Sequence, residues 1–393
     1  MKKVLTLVVL IVSIVMLFDL PVHAKEVRGI TNDAIKIGVS TDMTGPVVSI
    51  LGQMTEGYRN FFRHINDKGG INGRKVEVVV EDDRYSIPLC VANFKRLLYK
   101  EKVFVFIPSG TGQTKALYRN IEKEKIPTFT VSLAEDMVIP YRRYIFIPSA
   151  TYEDQITLMF KYIKEVLGVK QPKISYVSPD SEYGKTGFRA ATSTAEKYGL
   201  KLASTEVLAL GAFDASTQAM SLKRTKPDFV ILVEDLNSAV AMLRDARKLS
   251  LETTFFGNYY TCDDDIVQLG GKASESYLGV QSFSSWHDDI PGMKTVRNTT
   301  LKYYPNIKPR NRYYMQGWVT AMIITEGLKK AGKNLDTESF ITSLESIKNL
   351  DSGGVTGLIS YSPKLHKATE YLKIFKPDAA KNRLVPITDW MKP

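Results

Sequence analysis

The sequence has few residues of the kinds that most enzyme sites need. Only two cysteines, Cys90 and Cys262, occur among 393 residues, and no cysteine or histidine lies near either at metal-ligand spacing. None of the four histidines has a histidine partner at zinc spacing. A G-x-S-x-G nucleophile elbow and a G-x-x-x-x-G-K-[ST] phosphate loop are also absent. We therefore expect no metal, no cofactor and no catalytic centre, and conclude that the protein is not an enzyme.

The chain also lacks an apolar run long enough to span a bilayer. Residues 4–18 are almost all apolar and follow two lysines, but a spanning helix needs about 20 apolar residues. Small residues in Val22-His23-Ala24 suit signal peptidase. No cysteine precedes Cys90, so a lipid anchor is not expected. The pattern predicts a cleaved signal peptide, residues 1–24, and a mature protein free in the periplasm.

A dense basic tract is missing, although the formal net charge is +11. Charges of both signs are spread along the chain instead of forming a basic face interleaved with aromatic residues. We therefore expect no nucleic-acid partner and interpret the excess positive charge as a solvated surface.

Strand-like and helix-like segments alternate regularly through the first two thirds of the chain. Apolar strand patterns at 35–40, 76–80 and 103–107 are separated by segments with helical spacing, and a further helix is predicted at about Gln113 to Glu124. A second series begins near Thr151, which can cap a helix, and includes strand patterns at 173–178, 228–233 and 254–257. Such alternation predicts an α/β fold with two parallel sheets that carry helices on both faces.

The last part of the chain has a different pattern. It contains a long amphipathic helix at about 314–331, a shorter one at about 336–350 and a Gly-rich stretch, 353–357. Segments 358–361 and 370–375 follow, and we expect them to form a hairpin. Such segments can pack back onto the two earlier units.

Several short motifs then occur in an order and spacing that together are specific. They are Ile37-Gly38-Val39, Thr44-Gly45-Pro46, residues 66–74, Glu81-Asp82-Asp83, Ile126-Pro127, residues 180–184, Pro227-Asp228-Phe229-Val230 and residues 354–363. This order resembles the leucine/isoleucine/valine-binding family of periplasmic ABC-transporter substrate-binding proteins, which have the type I periplasmic binding protein fold. The resemblance covers essentially the whole chain after the signal segment.

The resemblance implies two Rossmann-like lobes with parallel sheets, joined by a three-crossing hinge, with the ligand cleft between them. The crossings would fall near 148–151, 279–283 and 352–356. Lobe one would comprise residues 25–149 and 280–353, and lobe two residues 150–279 and 354–393. Ligands of open parallel sheets bind beyond the carboxyl ends of the strands, which agrees with such a cleft.

Ser109, Gly110 and Thr111 follow a predicted strand and precede a predicted helix. Their hydroxyls and backbone N–H groups suit a ligand carboxylate, although N-capping would explain the same residues. The resemblance favours carboxylate binding. It also implies that Ser132 and Ala134 contact the ligand near its amino group, and that Tyr183 covers the ligand as an aromatic wall. A plain turn at 132–134 and lobe packing by Tyr183 are the alternatives.

One position departs from the family pattern. The acidic residue that pairs with a ligand ammonium should follow the strand at 254–257, and an ungapped count places Tyr259 there. A tyrosine cannot neutralise a buried ammonium. Either Glu234 or Asp235 supplies the charge, or the ligand carries no ammonium and stacks on Tyr183 and Tyr259. Asp235 can equally cap the next helix, so both alternatives stay open.

Three consecutive aspartates, Asp263, Asp264 and Asp265, lack the spacing of a calcium loop. We interpret them as the first turn of a helix, where the helix dipole favours acidic residues.

The resemblance therefore predicts a periplasmic substrate-binding protein of an ABC importer. It would capture an amino acid or a related aromatic or aliphatic carboxylate by hinge closure and deliver it to a membrane permease, as a monomer. A ligand-binding sensor or receptor subunit of the same fold is the alternative, but we recognise no output module in the sequence.

Overall fold

The computed structural model describes residues 27–393, so the predicted signal peptide lies outside the described residues. Two sheets organise the described chain. The first sheet has five strands in the order β2-β1-β3-β4-β5. Its strands are β1 Ala34–Thr41, β2 Lys75–Asp82, β3 Val105–Ile107, β4 Thr128–Phe129 and β5 Ile145–Phe146. All neighbours in this sheet are parallel.

The second sheet has seven strands in the order β12-β11-β10-β9-β8-β6-β7. They are β6 Ile174–Ser178, β7 Leu202–Val207, β8 Phe229–Leu232, β9 Thr254–Gly257, β10 Tyr277–Gln281, β11 Lys373–Asp378 and β12 Arg383–Pro386. The pairs from β7 to β10 are parallel, whereas β11 pairs antiparallel with both β10 and β12. The predicted α/β fold with two parallel sheets is confirmed, with an antiparallel edge added to the second sheet.

Twelve α-helices lie among the described residues and cover the sheets. They are α1 Val48–Asp67, α2 Ile87–Lys95, α3 Thr111–Ala116, α4 Tyr118–Glu124, α5 Tyr152–Lys161, α6 Glu182–Lys197, α7 Ser216–Thr225, α8 Leu236–Lys248, α9 Asp265–Gly270, α10 Pro291–Tyr303, α11 Arg312–Ala331 and α12 Thr337–Glu345. Strands such as β8 are buried along their whole length because helices cover both faces of the sheet.

The predicted helix cap at Thr151 is confirmed. Its side chain accepts a hydrogen bond from the backbone N–H of Asp154 at 3.2 Å, and the Asp154 carboxylate accepts one from the backbone N–H of Thr151 at 2.8 Å. This reciprocal capping box satisfies N–H groups that the first turn of α5 would otherwise leave free.

Helices α1 and α11 cross at two glycines. A β-carbon at Gly57 would lie 2.3 Å from the carbonyl oxygen of Tyr314, and one at Gly317 would lie 2.1 Å from that of Met54. No side chain fits at these distances, so the two backbones approach closely only because both positions are glycine. The contact packs the late helix α11 against the early helix α1, and thus returns the chain to the side of the first sheet.

Three segments pass side by side between the two sheets: one after β5, one after β10, and residues 353–368. After β5, the backbone of Ile147 exchanges hydrogen bonds with the segment at 366–368. After β10, Phe283 pairs antiparallel with Thr356. Gly353 and Gly354 precede this bridge with φ angles of 68° and 87°, which glycine adopts without strain. The arrangement is the expected three-crossing hinge.

Two local predictions were wrong. The final hairpin forms from β11 and β12, not from 358–361 and 370–375, because residues 358–361 turn back to make bridges near Leu350. The helix expected across Gln113 to Glu124 is broken at Leu117, which separates α3 from α4. The break at Leu117 is not marked by proline or glycine, so the sequence pattern contains no signal for it.

No helix in residues 27–393 is both long and apolar enough to cross a bilayer. Cys90 and Cys262 are buried and free.

Candidate ligand-binding site

A cavity lies between the carboxyl ends of the two sheets. Its volume is about 370 Å³, including the space at its mouth. Both sheets contribute to its wall. The lining residues are Val47, Ile50, Leu51, Tyr85, Ser109, Gly110, Thr111, Val131 and Ser132 from the first side, and Tyr152, Tyr183, Leu210, Glu234, Asp235 and Tyr260 from the second. The two sides are nearly closed upon each other.

Small hydroxyl side chains form the polar wall on the first side. Thr111 Oγ1 and Ser132 Oγ are 2.7 Å apart and share a hydrogen bond, although they come from the ends of different strands. Gly110 joins Ser109 to Thr111, and a β-carbon on it would lie 2.7 Å from the Tyr85 ring. This wall offers hydroxyl groups and carries no formal charge.

Aromatic rings form the second wall. Tyr183 packs edge-on against Tyr152 with ring centroids 5.3 Å apart, and against Tyr260 at 5.6 Å. The Tyr183 hydroxyl donates to the backbone carbonyl of Glu234 at 3.1 Å. These contacts hold the rings in fixed positions beside the cavity.

Tyr260 also joins the two sides of the cleft. Its hydroxyl donates to the backbone carbonyl of Val131 at 2.8 Å, across the cavity mouth. A second cross-cleft contact lies at the rim, where the Lys115 ammonium on α3 is 3.3 Å from Glu182 on α6. Lys115 also lies 2.7 Å from Asp136, on its own side of the cleft. The two cross-cleft contacts depend on a closed cleft.

Asp235, at the end of β8, is fully engaged within the protein. Its Oδ1 accepts the backbone N–H groups of Asn237 and Ser238, which caps α8. Its Oδ2 accepts the backbone N–H of Gly211 at 2.8 Å and the Ser238 hydroxyl at 2.6 Å. A carboxylate has about four acceptor positions, so Asp235 has little capacity left for a ligand.

Glu234, the preceding residue, is in the opposite situation. Its side chain is 0% exposed, and neither carboxylate oxygen has a hydrogen-bond partner among the described residues. No lysine, arginine or histidine in residues 27–393 lies within 4.0 Å of it. Burial raises the pKa of Glu234 well above its ordinary value, and the Asp235 carboxylate raises it further, while the neighbouring backbone N–H of Asp235 offsets little of this.

Two of the predicted contacts, Ala134 and Tyr259, do not line the cavity. Ala134 is buried behind Ser132. Tyr259 starts a short 3₁₀ turn, Tyr259–Thr261, in which successive side chains point about 120° apart. Its ring packs on Phe283 and Tyr313, each at 5.7 Å, so Tyr260 faces the cavity instead.

The other predicted residues, Ser109, Gly110, Thr111, Ser132, Tyr183 and Asp235, all line the cavity. Sequence reasoning missed three aromatic residues, Tyr85, Tyr152 and Tyr260. Tyr85 and Tyr260 follow strand ends, which was an available signal. Tyr152 instead starts α5 after the first crossing and does not directly follow a strand end.

A second acidic cluster follows β9. The Arg312 guanidinium, 1% exposed at its side chain, lies 2.9 Å from Asp264 and 3.9 Å from Asp263. Its carbon Cζ also lies 4.7 Å above the centre of the Phe375 ring. Burial alone would raise the pKa of Asp264, but Arg312 holds that pKa below its ordinary value. We call Glu234 and Asp235 the cleft corner, and Asp263, Asp264 and Arg312 the hinge corner.

Comparison with known sequences finds one family over most of the chain. A sequence model of the family described as "Periplasmic binding protein" matches residues 34–382. The leucine-, isoleucine-, valine-, threonine- and alanine-binding protein of Pseudomonas aeruginosa is 24% identical over 302 residues, which are 77% of this chain and 79% of that protein. The Leu/Ile/Val-binding protein of Escherichia coli K12 is 26% identical over 263 residues, 67% of this chain and 71% of that one.

Solved structures share the fold. A branched-chain amino acid ABC transporter protein from Thermus thermophilus with bound valine superposes with a TM-score of 0.85 at 22% identity, covering 93% of this chain and 98% of that one. A fatty acid ABC transporter substrate-binding protein from Thermomonospora curvata gives 0.84 at 22% identity, covering 95% and 96%. Proteins named for different ligands thus match this fold almost equally well.

Proposed function

The chain belongs to the periplasmic binding protein family, and from this membership we propose that it is the substrate-binding protein of an ABC importer. It captures an amino acid or a related small carboxylate in the cleft and delivers it to a membrane permease. The observation that carries this proposal is the cavity at the carboxyl ends of both sheets, lined by residues from each.

The lobes of this proposal are residues 25–149 with 280–353, and 150–279 with 354–393. The small hydroxyl wall, Ser109 to Thr111 with Ser132, receives the ligand carboxylate, and Tyr183 and Tyr260 cover its apolar part. Ala134 lies behind the hydroxyl wall and Tyr259 packs behind Tyr260, so neither touches the ligand. Residues 1–24 direct export to the periplasm, where the protein works as a monomer.

Ligand acts by stabilising the closed arrangement of the lobes. The hydrogen bond from Tyr260 to Val131 and the contact of Lys115 with Glu182 join the two lobes, so an open form loses them. A ligand that touches both sides gains contacts only in the closed form and shifts the equilibrium towards it. The permease then recognises the closed form.

A thermal-shift screen of residues 25–393 tests the function. The ligands are branched-chain and aromatic amino acids, their amides, and the corresponding carboxylates without an amino group. A ligand that binds the folded state raises the melting temperature by mass action. No shift with any of these compounds would contradict the proposal.

Small-angle scattering tests the closure. We expect the radius of gyration to fall at saturating concentration of whichever compound gives the largest thermal shift. An unchanged radius would refute closure by ligand.

A further inference from the structure

We propose that Glu234 accepts the positively charged amino group of the ligand, so the ligand is a zwitterionic amino acid and not an amine-free carboxylate. This inference rests on the proposed function and names the ligand class for the same cleft. The negative charge that pairs with the amino group comes from Glu234, at the end of β8. The position after β9, where the family places its acidic residue, holds Tyr259.

The first argument is the missing partner. Glu234 is completely buried, and both of its carboxylate oxygens lack a hydrogen-bond partner in the described residues. Buried charges in folded proteins are almost always paired and hydrogen-bonded, because transfer from water is otherwise costly. A protonated Glu234 would face the same difficulty, since its O–H would have no acceptor. A hydrogen-bonding partner for the Glu234 carboxylate therefore has to come from the cavity that this residue lines.

The second argument is the difference between Glu234 and Asp235. Four donors already occupy the oxygens of Asp235, so it holds α8 and the loop at Gly211 in place. Both residues line the cavity, but only Glu234 has free acceptor capacity. An ammonium group, with three donors and no acceptor, is the chemical complement of such a carboxylate.

The third argument is the distribution of charge in the cavity. The described residues that line it include no lysine or arginine, and the opposite wall offers the neutral hydroxyls of Ser109, Thr111 and Ser132. An amine-free carboxylate would bring a further negative charge towards Glu234 and Asp235 with no cation to balance it. A zwitterion places its carboxylate at the hydroxyl wall and its ammonium at Glu234, and so adds no net charge to the buried site.

The test compares amino acids with their deaminated counterparts by isothermal titration calorimetry. The pairs are L-leucine with 4-methylpentanoate, L-valine with 3-methylbutanoate and L-phenylalanine with 3-phenylpropanoate. We expect the best-bound amino acid to bind at least ~30-fold more tightly than its partner, as for a desolvated charge pair that is broken. Glu234→Gln should remove most of this difference, and Glu196→Gln, an exposed residue of α6, should preserve it.

Proton release on binding distinguishes a ligand contact from a purely structural role of Glu234, because a structural role would not release protons. An ammonium ligand favours the ionised carboxylate, so amino-acid affinity should increase from pH 5 to pH 8 and binding should release protons into the buffer. Glu234→Gln should abolish both effects.

The outcomes separate the two proposals. Deaminated compounds that bind as tightly as the amino acids, or an amino-acid preference that survives Glu234→Gln, would overturn the assignment of Glu234 and leave the transport function intact. Binding of neither series would overturn the proposed function, and this inference with it.

Discussion

The cleft corner and the hinge corner both contain buried acidic residues after neighbouring strands of one sheet, but these residues differ in their partners. At the hinge corner, the buried Arg312 pairs with Asp264, and the backbone N–H of Arg312 donates to Asp263 at 2.8 Å. At the cleft corner, Asp235 is saturated and Glu234 has no partner among the described residues. Paired buried charges hold the fold together, whereas an unpaired one reduces stability and is available to a ligand.

The largest expected effect comes from removing the cation of the hinge corner. Arg312→Met should lower the free energy of unfolding by about 3–5 kcal/mol, because it leaves buried aspartates without their partner. Urea denaturation at pH 7 measures the change. Arg224→Met, at an exposed arginine of α7, is the control and should stay within about 0.5 kcal/mol of the parent. A similarly small loss of unfolding free energy for Arg312→Met would mean that the buried ion pair of the hinge corner does not stabilise the fold.

A smaller loss is expected where Asp235 acts as a helix cap. Asp235→Ala removes the acceptor for the first turn of α8, and a lost cap costs about 0.5–2 kcal/mol. Denaturation without ligand should show this loss, while Glu234→Gln in the same assay should show none. Equal destabilisation by both changes would place Glu234 among the structural residues.

The pH dependence of stability sharpens the contrast within the cleft corner. The pKa of Glu234 is raised in the folded protein, so its contribution to stability is fully present below its unfolded pKa of about 4.3. As the pH rises above that value, the unfolded chain loses this proton more readily, and the contribution is lost through the folded pKa. Without ligand, the parent should therefore lose stability relative to Glu234→Gln between pH 5 and pH 8.

Thermal unfolding of the two proteins across this range measures the difference. Burial also raises the pKa of Glu153, to about 7, but that residue is common to both proteins and cancels in the comparison. Parallel pH profiles would show that folding does not raise the pKa of Glu234.

The smallest effect is expected at the cleft rim, where ion pairs are partly exposed. The side chains of Asp136 and Glu182 are 43% and 42% exposed, so their pairing with Lys115 gains little over water. Lys115→Met should weaken amino-acid binding by only about 2- to 5-fold, through a less stable closed form. Titration calorimetry against Lys123→Met, on the nearby α4, tests this. A loss of affinity as large as that caused by Glu234→Gln would show that the ion pairs at the rim are also important for binding.

Much of the cleft was predictable because polar and aromatic residues at strand ends meet at one edge of a parallel sheet. Ser109 and Thr111 were found in this way, and the family resemblance added Ser132. Tyr259 and Tyr260 were not distinguished, because the direction of each side chain depends on the 3₁₀ turn that follows β9. The aspartates at 263–265 were interpreted as a helix start, and Asp265 does begin α9, but the partner of the other two, Arg312, lies far along the chain.

The sequence by itself determined the alternation of strands and helices, the family resemblance and the set of strand ends that form the cleft. These follow from local periodicity and from short motifs in a fixed order. Only the tertiary structure decided which of two adjacent acidic residues is free. Glu234 and Asp235 are chemically similar neighbours, and they differ because folding brings Gly211 and the first turn of α8 to the Asp235 carboxylate but places Glu234 at the cavity.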